Sequence, residues 1–316
     1  EDMLRTEEVG GLRLIYPEYL YQAEVQTSKR LLKLRDLADA LEKVNVDKII
    51  GQWESEAGIV LAEAQKEAIH ASLKYGVFVL TGGPGTGKTT VIKGILAVLE
   101  KAGCRILLAA PTGRAARRLA DSSGHPAVTV HRLLEYTPNG GGFNFGKNDG
   151  DPLDADAIII DEASMLDITL TYHLLKAVQG GCRLIFVGDV DQLPSVGAGS
   201  VLKDIIRSQQ MPVVRLENVF RQAEISPIVR NAHRINRGQM PEWEPSSDFT
   251  FVEIENEFDA AEYVANIYAR LTQQSDWQSV QVLSPMHKNP CGVQNLNHLL
   301  QQRINPPELI KSEVNT

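Results

Sequence analysis

The run Gly82-Gly83-Pro84-Gly85-Thr86-Gly87-Lys88-Thr89 has the residue types and the spacing of a phosphate-binding loop. Glycines let a backbone wrap a polyphosphate and turn successive N–H groups toward it, and a following helix adds its favourable dipole. The flanks suit that reading. Val77–Leu80 is strand-like, and Thr89–Leu96 has helical spacing. A nucleoside triphosphate is therefore expected on Gly83, Pro84, Gly85, Thr86, Gly87, Lys88, Thr89 and Thr90. Lys88 would reach the β- and γ-phosphates, and the Thr89 hydroxyl would ligate Mg²⁺. The alternative, a glycine-rich turn matching by chance, does not explain the strand before it and the helix after it.

Two further apolar runs end in polar groups. Ile158-Ile159-Ile160 leads into Asp161-Glu162-Ala163-Ser164. Asp161 is suited to holding Mg²⁺, and Glu162 to orienting an attacking water. Two acids there could also simply cap the next helix. The phosphate loop upstream favours the catalytic reading. Phe186-Val187 leads into Gly188-Asp189-Val190-Asp191-Gln192-Leu193-Pro194, where Gln192 is a candidate γ-phosphate sensor. Arg221, in Asn218-Val219-Phe220-Arg221-Gln222, is a candidate γ-phosphate contact, because a planar guanidinium suits phosphate oxygens. A solvated arginine is its plainer reading.

These residues need a scaffold that brings strand ends together. Strand-like runs at Val77–Leu80, Arg105–Ala109, Ala157–Ile160, Arg183–Val187 and Val213–Leu216 alternate with helical segments. Apolar strands in such alternation predict a parallel sheet wound on both faces. Gly76 and Gly103 fall where helix C-caps are expected. Upstream, Leu12–Tyr16 reads as a strand, Pro17 opens a helix to about Val44, residues 51–58 read as a connector, and Leu61–Leu73 as a second helix. The glycine-rich stretch from Thr137 to Asp151 is too polar for core. It reads as a surface hairpin or a mobile loop, and its residues alone favour the loop. Past Ser226 come a helix begun by Pro227 and ended by Gly238, a strand at Thr250–Ile254, a helix at Glu257–Leu271, a strand at Ser279–Leu283 and a helix at Val293–Arg303. That pattern is half of a second α/β domain.

Composition sets outer limits. The 316 residues are 43% hydrophobic and 23% charged, enough for two cores. No apolar run approaches the ~20 residues of a membrane span, and Cys104, Cys182 and Cys291 show no paired spacing, which fits a reduced cytoplasm. A net charge of −8 argues against coating nucleic acid by bulk attraction, though not against gripping phosphates in a groove.

Taken in order, the motifs resemble superfamily 1 DNA helicases. They include Leu61-Ala62-Glu63-Ala64-Gln65, the phosphate loop, Ala109-Ala110-Pro111-Thr112-Gly113-Arg114-Ala115-Ala116, Asp161–Ser164, Gly188–Pro194 and Phe220-Arg221-Gln222. The chain is most similar to the RecD-like branch, the family of the exonuclease V alpha subunit. Leu283-Ser284-Pro285-Met286-His287-Lys288 and Gly292–Asn297 share that likeness. The resemblance implies an α/β fold: a RecA-like P-loop NTPase domain over 56–222 with a small insertion near 137–151, then a partial second RecA-like domain over 223–316. An N-terminal strand and long helix fill 1–55. It implies ATP with Mg²⁺ as cofactors, single-stranded DNA and duplex junctions as partners, travel 5′ to 3′, and a place in repair or recombination complexes. Gln65 would read adenine. Pro111, Thr112, Gly113, Arg114, Thr129 and His131 would line the strand path, although His131 alone reads equally as a helix-surface residue. Arg114, Arg117 and Arg118 share one helical face, as do Arg230, Arg234 and Arg237, and both faces also read as solvated. The inserted segment would be a hairpin that helps split duplex. The family's last motifs are not matched after Asn305, so the chain reads as a fragment, one expected to bind ATP but hydrolyse it poorly. No acidic cluster supports nuclease chemistry. Two other readings remain open at this point, a non-catalytic ATP-binding subunit that organises a recombination complex and an RNA-directed P-loop ATPase.

Overall fold

Six parallel strands carry the first unit of the protein. The structure is a computed structural model that describes residues 4–38, 41, 44–139, 142–216, 226–243, 248–273 and 276–306. The strands are β3 (Val77–Gly82), β4 (Ile106–Ala110), β5 (Ala127–Thr129), β8 (Ala157–Ile160), β9 (Arg183–Gly188) and β10 (Val213–Leu216). Their spatial order is β10-β3-β9-β8-β4-β5, every pair parallel. Five of the six follow the alternation in the sequence. The three residues of β5 are too short to show a period.

Alternation of side chains along each strand builds two cores. Val77, Val79, Ile158, Ile160, Leu184 and Phe186 face one layer; Phe78, Leu80, Ile159, Ile185 and Val187 face the other. The first layer is covered by α1 (Glu18–Leu37), α6 (Val130–Leu133), α7 (Ile168–Ala177) and α8 (Val201–Ser208). The second is covered by α2 (Val46–Ala57), α3 (Glu63–Lys74), α4 (Lys88–Lys101) and α5 (Gly113–Ser123). Helices on both faces of a parallel sheet make an α/β doubly wound fold.

The N-terminal segment belongs to these layers. A two-stranded ribbon, β1 (Leu4–Val9) with β2 (Leu12–Pro17), leads into α1, which buries Leu31 and Leu34 in the first core. Helix α1 ends at Leu37, short of the expected Val44, where Ala38 is extended. The stretch 51–58, expected as a connector, is most of α2. Val46, Ile49, Ile50 and Trp53 recur at helical spacing against the second core, Asn45 caps the Lys48 amide at 3.0 Å, and Gly58 closes the helix in the left-handed region. Polar residues on its outer face hide that period in the sequence.

Gly103 follows α4 with φ +78°, as a helix stop requires. Gly76 does not cap α3, whose last position is Tyr75. It is small for another reason: a Cβ there would meet the Leu34 carbonyl oxygen at 2.4 Å and Ala38 Cβ at 2.6 Å. Gly76→Ala should therefore destabilise the protein by ~1–3 kcal/mol, as overpacking against backbone does. Denaturant unfolding would check this, and an unchanged midpoint would contradict the contact.

His125 ties α5 to α4. Its Nε2 lies 2.6 Å from Glu100 Oε1 and its Nδ1 3.1 Å from the Ser123 carbonyl oxygen. The Glu100 hydrogen bond raises the imidazole pKa above its ordinary value. A raised base stabilises the fold below its unfolded pKa and loses that contribution as pH rises through the folded one. His125→Ala should accordingly lower the melting temperature more at pH 5.5 than at pH 8. Both partners are partly exposed, so the difference should be small and should shrink with salt. An equal loss at both pH values would exclude charge linkage.

The glycine-rich insertion forms a hairpin, β6 (Tyr136–Asn139) paired antiparallel with β7 (Gly142–Phe145). Its composition hides what holds it. Phe145 is 7% exposed and belongs to the first core, with ring centroids 5.2 Å from Tyr136 and 4.4 Å from His173. Behind it, Arg30 donates two 2.7 Å hydrogen bonds to Asp149. Cys104, Cys182 and Cys291 are free thiols, and burial pushes Cys182 up to about 12.

The chain divides at Pro241/Glu242. The helix Pro227–Asn236, followed by Gly238 at φ +70°, falls in the first unit. In the second, helices Glu257–Thr272 and Val293–Ile304 pack through Ala261, Ala265 and Leu296, and Arg303 pairs with Glu262. The expected strands at 250–254 and 279–283 do not form. A strand exists only through its ladder, and these stretches join none among the described residues. Phe251 instead stacks on Trp243 at 4.0 Å.

Candidate nucleotide site and strand path

The phosphate loop connects β3 to α4. Gly85 and Gly87 take φ +74° and +85°, values that a side chain resists and that the wrapped backbone needs. Gly87 is the N-cap, so Lys88, Thr89 and Thr90 form the first turn, whose amides have no intrahelical acceptors. Lys88 Nζ donates to the carbonyl oxygens of Gly82 (2.6 Å) and Gly83 (3.0 Å), and Thr86 Oγ1 donates to Gly83 O at 2.9 Å. The ammonium is thereby held across the loop mouth.

Gln65 lies behind this loop and is 3% exposed. Its Oε1 accepts from the Ala62 amide at 2.9 Å and its Nε2 donates to Thr86 O at 3.3 Å. The side chain expected to read a base also braces the loop.

Asp161 and Glu162 follow β8. The Asp161 amide donates to Ala109 O at 2.9 Å. Burial raises the Asp161 carboxyl pKa and the Glu162 charge adds to the rise, while a hydrogen bond from the Glu162 backbone and the charges of Lys88 and Arg118 oppose it. A desolvated carboxylate facing the loop lysine gains from any added cation. Glu162 has φ +52°, left-handed for a residue with a Cβ, and heads a short 3₁₀ turn, Ala163–Met165. Such strain concentrates where side-chain aim matters. Space for the turn comes from Gly188: a Cβ there would sit 3.2 Å from the amides of both Ala163 and Ser164.

β9 lies between β3 and β8, so its tip faces both. Asp189 is buried, accepts from the Asp191 amide at 3.0 Å, and receives Gln192 Nε2 at 3.5 Å. The Val190 amide donates to Thr81 Oγ1 of β3 at 3.4 Å. Leu193 and Val196 stand exposed beyond the turn.

The residues expected along the strand path lie farther along the same sheet edge. Pro111–Arg114 follow β4, and Thr129 ends its neighbour β5, paired with Ala110, with His131 just beyond it in α6. Thr112 and Thr129 are N-caps, accepting from the amides of Ala115 (3.2 Å) and Arg132 (3.1 Å). Arg114 is exposed on α5, where Arg117 pairs with Asp121 at 3.9 Å. His131 packs edge-on to Tyr136 at 5.5 Å, at the base of the hairpin. Arg221 lies outside the described residues.

Some neighbours of the site were not singled out in the sequence. Thr81 carries no motif signal. Arg118 was one of three arginines on a face and is the one whose charge reaches Asp161. His233 has its Cε1 3.9 Å from where a Gly83 Cβ would stand, which brings the helix Pro227–Asn236 beside the loop. Only the tertiary fold reveals that approach.

A parallel sheet whose edge gathers a phosphate loop, a half-buried aspartate and an adjoining glutamate defines a P-loop nucleotide-binding domain of RecA-like type. The AAA-domain family model matches residues 60–254. Curated relatives include the ATP-dependent RecD2 DNA helicase of Deinococcus radiodurans, 41% identical over 248 residues, covering 78% of this chain and 33% of that protein. Another is the RecBCD enzyme subunit RecD of Mycobacterium tuberculosis, 44% identical over 167 residues, covering 46% of this chain and 28% of that one. Among solved structures, the Pif1 helicase from Candida albicans aligns with a TM-score of 0.46 at 19% identity, over 71% of this chain and 56% of that one. The chain belongs to the AAA-domain family, and it is similar to the RecD-named proteins above. It spans about a third of the length of these curated relatives. No helix among the described residues is long and apolar enough to cross a membrane.

Proposed function

We propose that this chain is the motor core of an ATP-dependent DNA helicase that moves 5′ to 3′ along single-stranded DNA and acts at duplex junctions in cytoplasmic repair or recombination. One observation carries the reading. The candidate nucleotide residues follow β3, β9 and β8, and the candidate strand contacts lie at the ends of the next two strands, β4 and β5, along the same edge. Nucleotide state and strand contact therefore share one rigid sheet.

The chemistry is transfer of a phosphoryl group to water. Lys88 and the first-turn amides of α4 neutralise phosphate oxygens. Glu162 orients the water and takes up its proton. Gln192, carried on Asp189, senses the γ-phosphate, and Arg221 contributes a guanidinium to it. Gln65 holds the base end of the site, where its remaining amide hydrogen and lone pair would read adenine. The Thr89 hydroxyl and the Asp161 carboxylate form a hard-oxygen donor set that fits Mg²⁺, and the raised Asp161 pKa is what a cation at that spot would relieve. Mg²⁺, when bound, supplies charge neutralisation at the phosphates. Pro111, Thr112, Gly113 and Arg114, with Thr129 and His131, contact the strand, and other recombination-complex subunits are the protein partners.

The test is ATP turnover by the protein with no nucleic acid, with single-stranded DNA, and with RNA of matching sequence. DNA should stimulate turnover and RNA should not. Equal stimulation by RNA would contradict the DNA assignment, and ATP turnover that single-stranded DNA leaves unchanged would contradict the motor.

A further inference from the structure

We infer that His233 is a further nucleotide contact, an N–H donor to the γ-phosphate of ATP. The inference rests on the reading of Gly82–Thr89 as an ATP site and adds to it a residue that no sequence motif marks. Arg230, His233, Arg234 and Arg237 recur at i, i+3, i+4 and i+7, which places them on one side of the helix Pro227–Asn236 and its cap. In sequence the three arginines of this face also read as solvated. The structure sets the histidine among them against the phosphate loop.

His233 Cε1 lies 3.9 Å from the position that a Cβ would take on Gly83, an ordinary van der Waals distance. Cε1 is the ring carbon bonded to both nitrogens, so the polar edge of the imidazole is the edge turned toward the loop. Either tautomer keeps one N–H on that edge. The side chain is exposed, and no hydrogen bond or ion pair engages its ring among the described residues, which leaves the N–H open to a ligand.

Gly83 marks the γ end of the loop. Its carbonyl oxygen accepts from Lys88 Nζ at 3.0 Å, and that ammonium is the group that meets the β- and γ-phosphates. The first-turn amides of α4 stand at the other end, where the α- and β-phosphates are cradled. A donor beside Gly83 therefore faces the phosphate that ATP has and ADP lacks, and a bond to an ionised oxygen is among the stronger kinds. Its helix is the last described one before the chain divides at Pro241/Glu242. The contact that separates ATP from ADP is thus carried on the segment that leads into the second unit.

Binding of a non-hydrolysable ATP analogue and of ADP, each titrated with Mg²⁺ against the whole chain, reads the contact. His233→Ala should weaken the ATP analogue about tenfold, the scale of one charge-assisted hydrogen bond, and leave ADP affinity unchanged. His233→Gln keeps an N–H donor and should recover most of the loss. The ring is exposed, so both variants should melt as the wild type does. Lys88→Ala is the control for the site itself and should weaken both nucleotides. Wild-type binding by Lys88→Ala would defeat the phosphate-loop reading, and this inference with it. Loss of affinity in Lys88→Ala beside full affinity of His233→Ala for the ATP analogue would overturn the His233 assignment alone. Equal weakening of the ATP analogue and ADP by His233→Ala would overturn it as well.

Discussion

Glu162→Gln should leave Mg-ATP binding nearly intact and lower turnover by ~10²-fold or more, the range in which a positioned general base contributes. Glutamine keeps the side-chain shape, so the left-handed backbone at this position and the turn over Gly188 are undisturbed. What disappears is the charge that polarises water. A fluorescent nucleotide analogue reads binding, and phosphate release reads turnover. Hydrolysis at the wild-type rate would remove Glu162 from the mechanism. Lys88→Ala separates the two effects: it should weaken binding and turnover together, because the lysine both meets phosphates and bridges the carbonyls of Gly82 and Gly83.

The second large effect concerns the hairpin. Replacing residues 138–143 with a short Gly-Ser link should spare DNA-stimulated ATP turnover and abolish strand separation. The replacement has to stop there. Phe145 fills part of the first core, Tyr136 packs on it, and Asp149 is anchored to Arg30, so a wider deletion would open the domain itself. With that base kept, joint loss of both activities would mean the ribbon is structural. Unwinding at the normal rate would show that it plays no part in splitting duplex.

Much of this architecture was legible in the sequence because parallel strands are buried on both faces. Ala157–Ile160 and Val213–Leu216 stand in the structure at the bounds their apolar runs suggest. The loop from Gly82 to Thr89 was legible for a different reason: its glycines are demanded by backbone geometry, which leaves little choice of residue. Helix α2 was obscured because a half-exposed helix shows its period on one side only. The place of Phe145 was hidden by its glycine-rich neighbours, since local composition reports solvent contact on average and not for one ring. The strands expected at 250–254 and 279–283 show the opposite error. Alternating apolar residues give a stretch the capacity to pair, and pairing depends on a neighbour.

The sheet order also has a consequence for biosynthesis. Both neighbours of β3 come later in the chain: Val77 pairs with Leu184 on β9, and Val79 with Val213 on β10. During synthesis the strand that ends in Gly82 therefore leaves the ribosome with no partner, and stays so while about a hundred further residues are added. Contacts this distant in sequence form slowly, because the loop between them must close first. Pairing of β4 with β5 and β8 needs much less chain and can come earlier. Nascent chains halted before residue 183 would carry the phosphate-loop sequence without the ladder that shapes it. Nucleotide cannot template the early fold, and the apolar run Val77–Leu80 is the segment that most needs shielding until β9 arrives.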